Sequence, residues 1–315
     1  MVDNSAVSPN LPASEMTAAF GPELEFDRPL APLTSYQTGG PARYFLAAHS
    51  AEKLLEAVAT ARRLSIPYFL IGGGSNLLVS DQGFDGLIIK VDIRGIHLTG
   101  ETGIDCGAGE DLMALVDFAT QNGLTGIEFA AGIWGSVGGA IYGNAGAFGG
   151  EIGSVVTELS LVGRDGTAKT VGPDYCKFAY RDSYLKQTRE VVTRAVFKLE
   201  KGDRDSIDQR VKEILHVRDA KHPNTGKSAG CFFKNIPDPT QPYGKLPAGK
   251  LLEESGAKQL QVGGAKVFEK HANIIVNTGN ATSHDIRLLA NLMKQRVREK
   301  FNVELEEEVI QVGSF

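Results

Sequence analysis

The chain has 315 residues, too many for one small core and enough for two or three domains. Hydrophobic residues make up 42% and charged residues 23%, which excludes a disordered chain, and a formal charge of −5 without clustered Lys and Arg argues against nucleic acid as a partner. Cys106, Cys176 and Cys231 are odd in number and widely spaced, so neither a disulfide framework nor a zinc site is indicated and a reducing compartment is expected. In chain order, residues 1–25 are rich in Ser, Pro and Ala without periodicity. They lack the basic and apolar regions of a secretion signal, and no later stretch approaches the roughly 20 apolar residues of a membrane span. The expectation is a disordered tail over 1–25 on a soluble cytoplasmic protein, with no membrane partner.

Ser50 is placed to cap a helix carrying Leu54, Leu55 and Val58 that stops before Pro67. The apolar run 68–71, the loop "GGGSN" at 72–76 and the run 86–91 then read as strand, glycine loop and strand. Leu112, Leu115, Val116 and Ala119 share one helical face, with Gly123 as the stop. The stretch 126–150, "GIEFAAGIWGSVGGAIYGNAGAFGG", has neither helical nor strand period, yet is too apolar for a solvated linker. A hairpin turning at Arg164-Asp165-Gly166 follows, then a strand over 189–202 and a helix ending at Pro223. A domain boundary is placed near 205. Beyond it come helices and short strands, and a last strand over 302–313. That strand sets Val303, Leu305, Glu307, Val309 and Gln311 on one face, with Glu306, Glu308 and Ile310 on the other.

Three stretches could carry chemistry. "IGGGSNLLVSD" follows a strand as a phosphate-cradling loop would, though it matches neither the Rossmann nor the P-loop pattern and by itself is more often a plain turn. A second glycine-rich stretch in the same region adds enough bare backbone to hold a dinucleotide. Arg181 in "YRDSYLK" reads by itself as an exposed ion-pairing residue, and "LEEEV" as a solvated acidic face. Cys231 in "KSAGCFFKN" reads by itself as a small buried hydrophobe rather than a reagent.

Taken together, the motifs resemble the UDP-N-acetylenolpyruvoylglucosamine reductase family, flavoenzymes of bacterial peptidoglycan synthesis. The resemblance runs from about Leu33 to Gly313, through "TSYQTGGPARYF", "IGGGSNLLVSDQGFDGLIIK", "GIWGSVGGAIYGNAGAFG", "YRDSYLK", "SAGCFFKN", "AGKLLEESGAK", "GGAKVFEKHANIIVN" and "LEEEV" in family order. It implies an α+β fold: a two-lobed FAD-binding domain of the p-cresol methylhydroxylase/vanillyl-alcohol oxidase type and a C-terminal α+β substrate-binding domain. On this chain the lobes fall at 26–94 and 95–205. The substrate domain falls at 206–315, its C-terminal strand returning toward the flavin. No extra substrate loop is evident between Tyr180 and Asp203, which suggests the shorter type II subclass.

The resemblance assigns the family's arginine to Arg181, its second carboxylate to Glu308 and its proton-donating serine to the position of Cys231. It implies that NADPH reduces a non-covalently held FAD, which passes a hydride from N5 to the vinyl carbon of UDP-N-acetylglucosamine enolpyruvate. Cys231 then protonates the α-carbon while Arg181 and Glu308 stabilise the enolate. A thiol, with a reference pKa of about 8.5, is mostly protonated at pH 7 and suits that step. FAD is expected along Gly72, Gly73, Gly74, Ser75 and Asn76, and along Gly132, Gly135, Ser136, Gly138, Gly139, Asn144 and Gly146, where backbone can approach a diphosphate. Substrate contacts are expected at Tyr180, Lys234, Asn235 and His271. No metal is expected, and the chain is expected to be a monomer. Two departures stand out: Trp134 where many members have proline, and Ile236 where the family has proline after the asparagine. The rival readings are an inactive nucleotide-sugar or flavin-binding paralogue, and another oxidase or dehydrogenase of the same superfamily.

Overall fold

The helix expected after Ser50 runs Ala51–Arg63, with the Ser50 hydroxyl accepting from the Lys53 amide at 3.2 Å and Leu54, Ala57, Val58 and Ala61 buried along one stripe. The structure is a computed structural model and describes residues 12–163, 165–223, 227–241 and 244–315. The chain divides into two units. One comprises residues up to Phe26, Tyr44–Gly73 and Gly86–Val217, and the other Asp27–Arg43, Gly74–Asp85 and Arg218–Phe315.

In the first unit, strand Tyr68–Ile71 pairs in parallel with Phe84–Val91, Tyr68 opposite Leu87 and Ile71 opposite Lys90. Its larger sheet is antiparallel, in the order Ala168–Val171, Val156–Val162, Val191–Lys198, Gly103–Gly107, Ile96–Thr99. The expected hairpin is its first pair. Arg164 lies outside the described residues, and the Gly163 amide donates to the Thr167 carbonyl (2.7 Å) across the turn. Helix Leu112–Gln121 is capped by Asp111 and ends before Gly123, whose φ of +63° suits the stop. Both sheets and these helices share one core that includes Leu54, Leu87, Leu115, Ile141, Leu159 and Phe197.

The unreadable stretch 126–150 resolves into a 3-10 turn Glu128–Ala130, a short helix Val137–Tyr142 and a two-residue hairpin, Gly146–Ala147 with Gly150–Glu151. None is long enough to show a period.

The second unit packs a three-stranded antiparallel sheet (Gln261–Val262, Ala265–Val267, Ile275–Asn277) against helix Ser283–Phe301. A reciprocal Thr282–Asp285 capping box starts that helix, and it buries Ile286, Leu289, Met293 and Val297. Tyr36 and Leu78, from the segments 27–43 and 74–85, belong to this unit's core together with Phe232, Phe233 and Leu252.

Three expectations need correction. Residues 12–25 are not a disordered tail: helix Ala13–Phe20 buries Met16 and Phe20 in the first unit's core. The boundary near 205 does not match the compact units, because helix Arg204–Lys221 buries Val211 and Ile214 in the first core and the second unit's C-terminal run begins at Arg218. The last strand is also not continuous. After a bridge at Glu307 and a bend at Val309, only Ile310–Val312 is strand, parallel to Leu77–Val79, and Val312 rather than Gln311 is buried there.

Candidate active site

Glycines of the two rich stretches pack backbone against backbone within the first unit. A Cβ on Gly73 would lie 2.7 Å from the Gly135 Cα, and one on Gly72 would strike the Ser136 hydroxyl. A Cβ on Gly138 would lie 2.9 Å from that of Ala108, and one on Gly146 would lie 2.6 Å from the Gly150 carbonyl oxygen. Gly132 and Gly135 have φ of +69° and +129°, where a side chain is strained. Ser136 is the N-cap of helix Val137–Tyr142, accepting from the Gly139 amide at 3.3 Å. These loops are therefore bare by steric necessity, as a diphosphate cradle requires, and the residues present fit FAD.

In the second unit the loop continues through Gly74, at φ +65° with a Cβ position blocked by the Leu33 carbonyl. Ser35 donates to the carbonyls of Gly74 (amide, 3.1 Å) and Ser75 (hydroxyl, 3.2 Å). Asn76 reaches further: its Nδ2 donates to the Glu308 carbonyl at 3.0 Å, and its own carbonyl accepts from the Ile310 amide at 3.0 Å. Its side chain thus positions the acidic run, a role its place in a glycine loop gave no sign of.

Arg181 sits on a tight turn of the first unit, closed by Ala179 and Asp182 exchanging two backbone bonds of 3.0 Å. Its φ of +54° lies in the left-handed region. The guanidinium donates through Nη1 to the Gly146 carbonyl (3.0 Å) and lies 5.7 Å from the Tyr180 ring centroid. Lys186 Nζ donates to the Arg181 carbonyl at 2.5 Å.

Cys231 lies in the second unit on an extended segment between two others. It bridges Ile274 on one side, and Phe233 bridges Glu307 on the other. The Phe232 amide donates to the Asn273 carbonyl (2.7 Å), and the Phe232 carbonyl accepts from the Glu308 amide (2.8 Å). Asn273, which is buried, takes both backbone groups of Phe233: Oδ1 accepts from its amide (2.9 Å) and Nδ2 donates to its carbonyl (2.8 Å). Nothing in the residue pattern distinguished Asn273 from an ordinary strand-end asparagine. Cys231 is half-buried, whereas Cys106 and Cys176 are fully buried, and burial pushes their thiols up to about 12 and about 11. Those two are packing residues.

The remaining expected residues divide. Lys234 pairs with Glu306 at 2.5 Å, which binds it to the acidic run. Asn235 Oδ1 accepts from the Ala248 amide at the start of helix Ala248–Glu254 (3.1 Å). His271 accepts at Nδ1 from the Asn273 amide (3.2 Å) and lies 5.9 Å from the His222 ring. Burial first, then Lys221 and Lys258, lowers its pKa from the usual imidazole value. These contacts give His271 a structural part beside the Asn273 clasp. Ile236 pairs with Leu246 in a short antiparallel ladder, and Trp134 is exposed. Among the described residues, no group of acidic, His and Cys side chains could hold a metal, and no helix is long and apolar enough to cross a membrane.

Residues 222–312 match the family model "UDP-N-acetylenolpyruvoylglucosamine reductase, C-terminal domain", and residues 42–172 match the model "FAD binding domain". The UDP-N-acetylenolpyruvoylglucosamine reductase of Caldanaerobacter subterraneus subsp. tengcongensis is 38% identical over 292 residues, covering 92% of this chain and 94% of its own. That of Caldicellulosiruptor bescii is 39% identical over 298 residues, covering 94% and 92%. The crystal structure of UDP-N-acetylenolpyruvylglucosamine reductase (MurB) from Thermus caldophilus matches with a TM-score of 0.76 at 33% identity, over 92% of this chain and 98% of that one. With an FAD-binding domain, a matching C-terminal domain and relatives aligned over nearly their whole length, this chain belongs to the UDP-N-acetylenolpyruvoylglucosamine reductase family of oxidoreductases.

Proposed function

We propose that the chain reduces UDP-N-acetylglucosamine enolpyruvate to UDP-N-acetylmuramate, with NADPH as reductant, in peptidoglycan precursor synthesis. The observation that carries this reading is the Phe232–Glu308 backbone bond, which sets the segment of the half-buried Cys231 beside that of Glu308 in a chain of this family. When bound, FAD supplies the carrier that takes a hydride from NADPH and gives it to the vinyl carbon. The bare backbone of Gly72–Asn76 and of Gly132, Gly135, Ser136, Gly138, Gly139 and Gly146 would hold it without a covalent link.

Arg181 is the group suited to the charge that develops on the substrate's conjugated carboxylate. A guanidinium is planar, permanently charged and here oriented by the Gly146 carbonyl, so little reorganisation accompanies the reaction. Cys231 delivers the proton to the α-carbon: the S–H bond breaks, the C–H bond forms, and the thiolate recovers its proton from solvent. Glu308, held at its amide by Phe232 and at its carbonyl by Asn76, assists Arg181 in stabilising the enolate. Tyr180, Lys234 and Asn235 contact the substrate in this reading.

The test is optical. The purified protein should be yellow, NADPH should bleach it, and the enolpyruvyl substrate should restore the colour under anaerobic conditions. A colourless protein, or one whose colour returns only with oxygen, would overturn the proposal in favour of the paralogue or oxidase reading.

A further inference from the structure

The Arg181 turn needs external support, because a non-glycine residue at positive φ persists only where its surroundings over-determine it. Residues 142–146 supply that support. The Ser183 hydroxyl donates to the Tyr142 carbonyl (2.7 Å) and Arg181 Nη1 to the Gly146 carbonyl. Between these, Asn144 acts through its side chain: Nδ2 donates to the Ala179 carbonyl and Oδ1 accepts from the Gly153 amide, both at 2.9 Å. Ala179 O can only accept and Gly153 N can only donate, so the amide has one orientation. Asn144 is 1% exposed, and its own φ of +44° is one that Asn tolerates and most residues do not.

We propose that Asn144 is the positioning residue of Arg181, and that its side chain serves the turn 179–183 rather than the cofactor. The claim rests on the reading of Arg181 given above. It gives one residue of the second glycine stretch a part in the substrate half of the cycle.

The test uses the full-length protein with Asn144→Gly, which removes both bonds and suits the positive φ, and Asn144→Asp as a second variant. Hydrogen–deuterium exchange should rise across 179–183 in Asn144→Gly, with FAD content and NADPH bleaching near parental. Reoxidation by the enolpyruvyl substrate should slow roughly ten- to a hundred-fold, the scale of a misplaced reacting group. Added to Arg181→Lys, Asn144→Gly should cause no further slowing. For Asn144→Asp, reoxidation should recover as pH falls, since only the protonated acid can donate to Ala179. Unchanged exchange at 179–183 overturns the proposal. So does lost FAD, slowing that multiplies with that of Arg181→Lys, or a slowed Asn144→Asp that does not recover as pH falls. If exchange rises while Arg181→Lys reoxidises at the parental rate, the reading of Arg181 fails instead.

Discussion

The Glu308 amide donates to the Phe232 carbonyl at 2.8 Å, and this bond ties the acidic run near the C-terminus to the segment carrying Cys231. Asn273 holds the next residue, Phe233, from the opposite side through two side-chain bonds. The thiol is therefore presented by a clamped backbone, as the proposed proton transfer needs.

Cys231→Ala should bleach with NADPH at the parental rate, because that half-reaction needs no proton delivered to carbon. Its reoxidation by substrate should slow about 10²-fold, the usual scale for losing a general acid. Cys231→Ser should recover much of the rate. Stopped-flow traces showing Cys231→Ala reoxidised at the parental rate would leave the thiol a packing role only.

Gly73→Ala should lose bound FAD. Its Cβ would sit 2.7 Å from the Gly135 Cα and 2.9 Å from the Ser136 amide nitrogen, both backbone, so the loops must part. Gly172→Ala is the matched control: its Cβ meets nothing within 4 Å and its φ is −82°. The flavin-to-protein absorbance ratio after purification checks both. Full occupancy in Gly73→Ala would show that the loop contact does not shape the cofactor cradle.

Asn273→Ala should destabilise the protein by roughly 2–4 kcal/mol, since it strands both backbone groups of Phe233 in a buried site. The midpoint of urea denaturation measures this. A midpoint within error of the parent would mean that other partners satisfy Phe233 equally well.

Acid should destabilise the second unit through His222 and His271. Burial, then Arg218, His271 and Lys221, lowers the His222 pKa to about 4, and His271 shifts the same way. Lys258 opposes the His271 charge and Glu253 favours it. With folded values below the unfolded 6.5, the unfolded chain binds more protons in between. The contribution is therefore complete above pH 6.5 and lost as pH falls toward 4. Protonated His271 could also no longer accept from Asn273. His222→Gln should flatten stability against pH across that window. An unchanged slope would show that another group controls it.

The helix after Ser50 was legible because its cap, apolar stripe and stop are all local, and so were the strands on either side of the glycine loop, though not their parallel pairing. The stretch 126–150 was not, since elements of two to six residues joined at Gly132 and Gly135 carry no period. Helix Ala13–Phe20 was hidden by a tail-like composition although Met16 and Phe20 are buried. In the candidate site, motif order pointed to Arg181, Cys231 and Glu308. The supporting asparagines at 76, 144 and 273 act through bonds to backbone 232, 35 and 40 residues away, which no local propensity encodes. Two of these, Asn76 and Asn144, read from sequence as cofactor contacts.

The discontinuity of the second unit constrains how the chain matures. Tyr36 and the strand Leu77–Val79 are synthesised early, but the carbonyl of Tyr36 accepts from Asn277 (2.9 Å) and the strand pairs with Ile310–Val312. Until residues 310–312 leave the ribosome, Tyr36 and Leu78 have no finished core to enter, and they are candidates for chaperone contact. A fragment beginning at 218 would likewise lack Tyr36, Leu78 and the edge that closes its final strand. The region 222–312, matched by the C-terminal family model, thus lacks part of the core of its own unit.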